Sequence, residues 1–250
     1  MLRKIVAGNW KMHKTAAQTR EFLQTFLPLI AAVPDYIEIV IAPPFTAIPT
    51  AHEILRHHPR VLLGAQNVHW ELHGPFTGEV SAPMLREFDV RYTIVGHSER
   101  RMYFNETDHT VNLKVKTLLK HGITPIVAVG ETRAERDGGE TDTRVISQTV
   151  AALDGLDATE IARLVFAYEP IWAIGTGANC DPEEANRVMG VIRSTRTALE
   201  AVPILYGGSV KPENAAAYAA QPHINGGLVG GASLHPEGFA ALIEAAGLRA

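Results

Sequence analysis

Eight short, nearly continuous apolar runs punctuate the chain: Lys4–Asn9, Ile37–Ala42, Val61–Gln66, Tyr92–Gly96, Ile123–Val129, Leu164–Tyr168, Ile204–Tyr206 and Gly227–Val229. They recur at roughly 25–35-residue intervals and do not alternate polar with apolar, which is how strands buried on both faces of a parallel sheet read. Helix-like stretches lie between them. Asp181-Pro182-Glu183-Glu184 starts one: Asp caps, Pro suits the first turn, and two carboxylates suit the positive end of the helix dipole. Val188, Val191, Ile192, Thr195 and Leu199 follow near helical spacing. Val111, Val115 and Leu118-Leu119 do the same after Thr107-Asp108, as do Ile146, Val150 and Leu153 after Thr141-Asp142-Thr143. Eight strand–helix units in 250 residues match a closed (β/α)8 barrel of eight parallel strands with outer helices. An open doubly wound sheet usually has fewer strands. No linker or low-complexity segment divides the chain, so residues 1–250 are expected to form one domain.

Composition excludes several function classes. The formal net charge of −4 gives no reason to expect nucleic acid or an anionic membrane as a partner. One cysteine, Cys180, forbids an intrachain disulfide, and the N-terminal apolar run is too short for a signal peptide. The expectation is a reduced, cytoplasmic protein. No window approaches the ~18 apolar residues of a membrane span. Neither a dinucleotide fingerprint nor a phosphate-loop motif is present, and no cofactor is expected. His69 and His73 have helical i, i+4 spacing, but Gly74-Pro75 argues against a helix there, and no metal is expected. His57-His58 before Pro59 is expected at an exposed helix end.

Active sites of such barrels sit at the C-terminal ends of the strands. The residues ending the runs are Asn9-Trp10-Lys11, Gln66-Asn67, Gly96-His97-Ser98-Glu99, Glu169, Gly207-Gly208-Ser209 and Gly230-Gly231-Ala232-Ser233. A carboxylate, a histidine, a lysine and two glycine turns thus converge on one face. Glu169 ends an apolar strand, and Pro170 follows at once. A carboxylate beside a loop with a stiff start and a flexible end suits a general base under a moving lid. The other reading is a surface glutamate before an ordinary loop. The glycine turns suit an anion, because backbone N–H groups there point freely, although tight turns alone also account for them.

The chain resembles the triosephosphate isomerase family over nearly its whole length. The resemblance rests on Gly8-Asn9-Trp10-Lys11-Met12, Ala65-Gln66-Asn67-Val68, Gly74–Val80, Gly96–Arg101, Ala167–Gly177, Tyr206–Val210 and Leu228–Leu234, all in the family's order. It implies a TIM barrel that interconverts dihydroxyacetone phosphate and D-glyceraldehyde 3-phosphate through an enediolate. By that resemblance Glu169 is the base, His97 the neutral electrophile, and Lys11 a fixed positive charge. Asn9 contacts the substrate oxygens, and Glu99 partners Lys11. Gly175, Ser209, Gly230 and Gly231 hold the phosphate. Pro170, Ile171, Trp172, Ala173, Ile174, Gly175 and Thr176 form the lid. Ser98-Glu99-Arg100 would open a helical turn whose N–H groups disfavour a cationic His97.

In the family the stretch from Gln66 to Val80 enters a second subunit, the Thr77 position reaching the neighbour's active site. A homodimer is expected, since Val68, Trp70 and Phe76 are expensive to expose. Departures from the family pattern fall at Ala128, His13, Met102 and Asn105, none assigned chemistry. Cys180 has no family role to carry over and is expected as an exposed, oxidisable thiol. Two other functions stay open: a lyase or another isomerase acting on a sugar phosphate, and a non-catalytic phosphate-ligand binder or structural homologue.

Overall fold

Each apolar run forms a strand in the computed structural model, which describes residues 2–174 and 179–247. The strands are β1 (Lys4–Asn9), β2 (Ile37–Ala42), β3 (Val61–Ala65), β4 (Tyr92–Val95), β5 (Thr124–Val129), β6 (Val165–Tyr168), β7 (Ile204–Tyr206) and β8 (Gly226–Val229). They pair in chain order, all parallel, and β8 returns to β1 to close a TIM barrel. No expected boundary is off by more than one residue. The runs are continuous because both faces are covered. Ile5, Ala7, Val40, Ile94 and Ala167 belong to a buried cluster drawn from the strands alone. Val6, Ile39, Val127 and Phe166 pack instead with helix residues such as Phe26, Val115 and Ile192.

The seam between β8 and β1 is tight. Gly226 has φ +129°, and a Cβ there would lie 1.8 Å from the Ile5 carbonyl oxygen. Next to it, Asn225 accepts the Ile5 N–H on its backbone oxygen and the Ile204 N–H on its side chain. The Arg193 guanidinium donates to the same side-chain oxygen at 2.9 Å. At the other end of β1, buried Trp10 donates its indole N–H to the Ser233 carbonyl at 3.1 Å and sets its ring edge on Phe22. Both ends of the closing strand pair are therefore tied by buried hydrogen bonds.

The helices follow the sequence signals with two corrections. Thr107 caps the helix Asp108–Lys120, which buries Val111, Val115, Leu118 and Leu119. Asp181 caps the helix Pro182–Ser194. Leu199, read as part of that helix, lies in a separate turn, Thr197–Ala201. Arg193 turns the chain back by donating to the carbonyls of Leu199, Glu200 and Val202. In the helix Thr141–Ala152 the buried face is Val145, Gln148, Thr149 and Ala152. Ile146 and Val150, expected inside, are each 40% exposed. Gln148 faces inward because its side-chain oxygen accepts the Gly130 N–H at 2.8 Å, just past β5. That bond outweighs an all-apolar face, since an unpaired buried N–H is costly.

The Gly226→Ala variant should lose more than about 3 kcal/mol of stability, because a backbone oxygen cannot yield as a side chain does. A urea-denaturation midpoint equal to wild type would show that the seam has slack.

Candidate active site

His97 owes its position to two elements. β4 ends at Val95, and the helix Ser98–Tyr103 begins one residue after the histidine. His97 is the cap of that helix: its Nδ1 accepts the Glu99 backbone N–H at 3.2 Å. An accepting Nδ1 has a free lone pair, so the ring proton sits on Nε2. Nε2 lies 2.9 Å from Glu169 Oε1. Glu169 follows β6 directly, and its backbone N–H donates to Val129 at 2.8 Å. Its side chain is buried, with Oε2 accepting the Ser98 N–H at 2.9 Å.

One contact governs both titrations. Burial acts most strongly on Glu169 and pushes its pKa up, but His97 and the Ser98 N–H outweigh it and hold the carboxyl below its usual range. Burial pulls the His97 pKa down, while the charges of Glu169 and then Glu99 carry it above its ordinary value. The upward pull depends on Glu169 staying in place. Once that carboxylate moves, burial and the Glu99 N–H both favour a neutral ring.

Lys11 is held in the left-handed region at φ +50°, a conformation costing roughly 1–2 kcal/mol outside glycine. Two side chains enforce it. Asn9 accepts the Lys11 N–H at 3.0 Å, and Gln66 donates to the Lys11 carbonyl at 2.9 Å. The ammonium lies 2.6 Å from Glu99 Oε1.

These groups face a cavity of about 330 Å³ lined by Asn9, Lys11, His97, Glu169, Ile174, Ser209, Gly230 and Gly231 among others. A side chain at position 230 would begin 3.5 Å from Lys11 Cε, so glycine there keeps the wall open beside the ammonium. Glu99 lines the adjoining hollow with Asn9, Lys11 and His97. Gly175 and Thr176 lie outside the described residues. Pro170 to Ile174 lie within them, and Ile171–Ala173 form one short turn. Ser98 to Glu99 do open a helix at His97, as the local sequence suggests.

A model of the triosephosphate isomerase family matches residues 4–246. The chain belongs to that family. It is 54% identical to proteins named triosephosphate isomerase from Acaryochloris marina and Nostoc punctiforme, over 97% of this chain and at least 98% of each relative. A Synechocystis protein of the same name is 51% identical over 98% of this chain.

Against the family pattern, Asn105 takes a glycine-like backbone at φ +53°, which asparagine tolerates better than most residues. Beside it stands Glu106, a residue that no local motif singles out. Its carboxylate accepts from the Gly96 N–H at 2.6 Å, Arg100 at 2.7 Å and Lys114 at 2.7 Å. Lys114 also donates to Asn67 at 2.8 Å. This buried network fixes the end of β4 and hence His97. Burial raises the Glu106 pKa, but Lys114 and the other donors more than offset it and hold the carboxyl below its usual range.

Glu131 is a second such residue. Fully buried, it accepts from the Trp172 indole at 2.8 Å and the Tyr168 hydroxyl at 3.1 Å. Burial raises its pKa despite these donors. It fastens the stretch just after Glu169. Gln66 stood at an expected strand end, but its grip on Lys11 had no local signature.

Cys180 corrects the expectation of an exposed thiol. It is fully buried, and its backbone oxygen accepts the Tyr218 hydroxyl. Burial pushes the thiol up to about 12, so it keeps its proton at neutral pH and is a poor nucleophile.

Because the Glu106 pKa is depressed on folding, its stabilisation is present above the unfolded carboxylate pKa of about 4.3 and is lost as pH falls through the folded value. Glu106→Gln should cost about 3–5 kcal/mol at neutral pH and flatten that acid-side loss. Equal slopes of stability against pH below pH ~5 in both proteins would remove Glu106 from this account.

Proposed function

We propose that the protein interconverts dihydroxyacetone phosphate and D-glyceraldehyde 3-phosphate, the aldose–ketose step shared by glycolysis and gluconeogenesis. The observation that carries this reading is the 2.9 Å contact of Glu169 with His97 Nε2 on the cavity wall, beside the Lys11 ammonium. A substrate carbonyl that takes the Nε2 hydrogen bond displaces Glu169 from its partner. The carboxylate then loses the group that depresses its pKa while remaining buried, and becomes a stronger base. It removes a proton from the carbon next to the carbonyl. The developing oxyanion faces the imidazole N–H and Lys11, two donors already in place. Glu169 returns the proton to the neighbouring carbon, and His97 moves a proton between the two oxygens.

In this reading Asn9 contacts substrate oxygens, and Glu99 holds the Lys11 ammonium in place. Gly175, Ser209, Gly230 and Gly231 receive the phosphate. Pro170 to Thr176 act as the lid, with Glu131 steadying its first part through Trp172. A closed lid excludes water and protects the enediolate from losing phosphate. Ile174 lines the cavity, and in this reading it and the closed lid leave room for a three-carbon phosphate but not for longer sugar phosphates. Residues 1–250 act as one catalytic domain. No helix among the described residues is long and apolar enough to cross a membrane. A cytoplasmic location fits a chain with a single cysteine and hence no intrachain disulfide.

We also propose a homodimer. Val68, expected to need a partner, is fully buried within the chain. Phe76 of the same loop is exposed, and so are Met102, Tyr103 and Phe104, with Met12 at 94% exposure. Met12 and Phe104 line the hollow beside Lys11 and Glu99, where a partner's segment would complete the wall. The segment suited to fill it is the loop bearing Thr77. Its base is stiff, because the His69 ring stacks on Trp70 and packs against Phe76, and the His69 N–H donates to Val80. Thr77 itself is exposed. Sedimentation velocity should show one species of twice the chain mass, and a fully active monomer at nanomolar concentration would overturn the dimer.

Purified protein should isomerise D-glyceraldehyde 3-phosphate with no metal or nucleotide added, and Glu169→Gln should abolish turnover. Glu169→Asp withdraws the carboxylate by about a bond length and should cost on the order of 100-fold in kcat, with far less effect on KM. An unchanged kcat would show that Glu169 is not the base.

A further inference from the structure

Lys211 stands two residues past Ser209 and lines the same cavity as His97 and Glu169. It directly precedes the helix Pro212–Ala219, so the positive end of that helix dipole lies beside it. Its side chain is exposed, and it makes no ion pair among the described residues. Glu213, two residues on, is also exposed and likewise has no ion pair there.

The other charges around the cavity do not favour an anion. The Lys11 ammonium is already matched by Glu99 at 2.6 Å. Glu169 adds a negative charge on the wall. Arg100 stands with Glu99 in the adjoining hollow, so Lys11 and Arg100 balance Glu99 and Glu169 and leave no net charge to hold a phosphate dianion. The chain as a whole has a formal net charge of −4, which repels one.

We propose that Lys211 is the residue that recruits the substrate's phosphate. Its charge leaves the cavity net positive and draws the dianion toward Ser209 and Gly230-Gly231, without taking part in proton transfer. This rests on the proposed isomerase function, whose substrate carries the phosphate. A cleft with low-dielectric walls focuses such a field, and salt screens it over about 8 Å at physiological ionic strength. The effect therefore belongs to capture of substrate and fades with added salt.

The test is kcat/KM for D-glyceraldehyde 3-phosphate at low and high ionic strength in Lys211→Arg, Lys211→Gln and Lys211→Glu. At about 0.01 M salt, Lys211→Gln should lose roughly 3–10-fold in kcat/KM, Lys211→Glu more, and Lys211→Arg little. The loss should fall on kcat/KM rather than on kcat, and all four proteins should converge near 0.5 M salt, where the Debye length is only a few ångströms. Calorimetric binding of inorganic phosphate should follow the same order at low salt. Equal low-salt values in wild type, Lys211→Gln and Lys211→Glu would overturn the proposal, as would a deficit that persists at high salt. Phosphate binding that follows this order in a wild type without isomerase turnover would overturn the function and uphold Lys211.

Discussion

Closure of the sheet between β8 and β1 is the constraint on which the rest depends. Parallel strands in a closed ring send all their C-terminal ends to one rim. That is why Asn9, His97, Glu169, Ser209 and Gly230, far apart in the chain, surround one cavity. The closure rests on a close approach that only glycine allows, Gly226 against Ile5. It is secured at one end by Asn225 and Arg193 and at the other by Trp10. A site built on such a rim inherits the rigidity of the barrel, and preorganised donors at fixed distances are what charge stabilisation needs.

The site holds tension between burial and charge. Glu169 is 2% exposed yet ionised, which is tolerable only because His97 and the Ser98 N–H face it. That arrangement makes the resting carboxylate a weak base and ties its activation to loss of the His97 contact. Lys11 shows the same logic in the backbone. Its left-handed conformation is unfavourable alone and persists because Asn9 and Gln66 hold it from both sides. Glu106 and Glu131 lie further out and work through others, one setting the end of β4 and the other the start of the lid.

Much of this was legible in the chain. The strands were readable because burial on both faces leaves uninterrupted apolar runs. The helix at His97 and the cap at Asp181 were readable because capping depends on neighbours in sequence. The errors came where a distant group decided the outcome. Ile146 and Val150 face outward because Gln148 reaches Gly130. Leu199 leaves the helix because Arg193, anchored on Asn225 at the β8–β1 seam, gathers the carbonyls beyond it. Cys180, beside polar Asn179 and Asp181, reads as exposed, yet it is buried near Tyr206 and Tyr218.

The sequence by itself determined the eight-strand repeat, the rim on which the chemistry gathers, and the residue types that gather there. Those properties follow from local periodicity and from the side chains present. Only the tertiary structure decided the protonation and reach of those groups: the depressed Glu169, the paired Lys11 and the buried thiol of Cys180. The His97 tautomer follows from the Glu99 N–H two residues on, but the others depend on the distance to a partner tens of residues away or on exclusion of water. Neither quantity exists until the barrel closes.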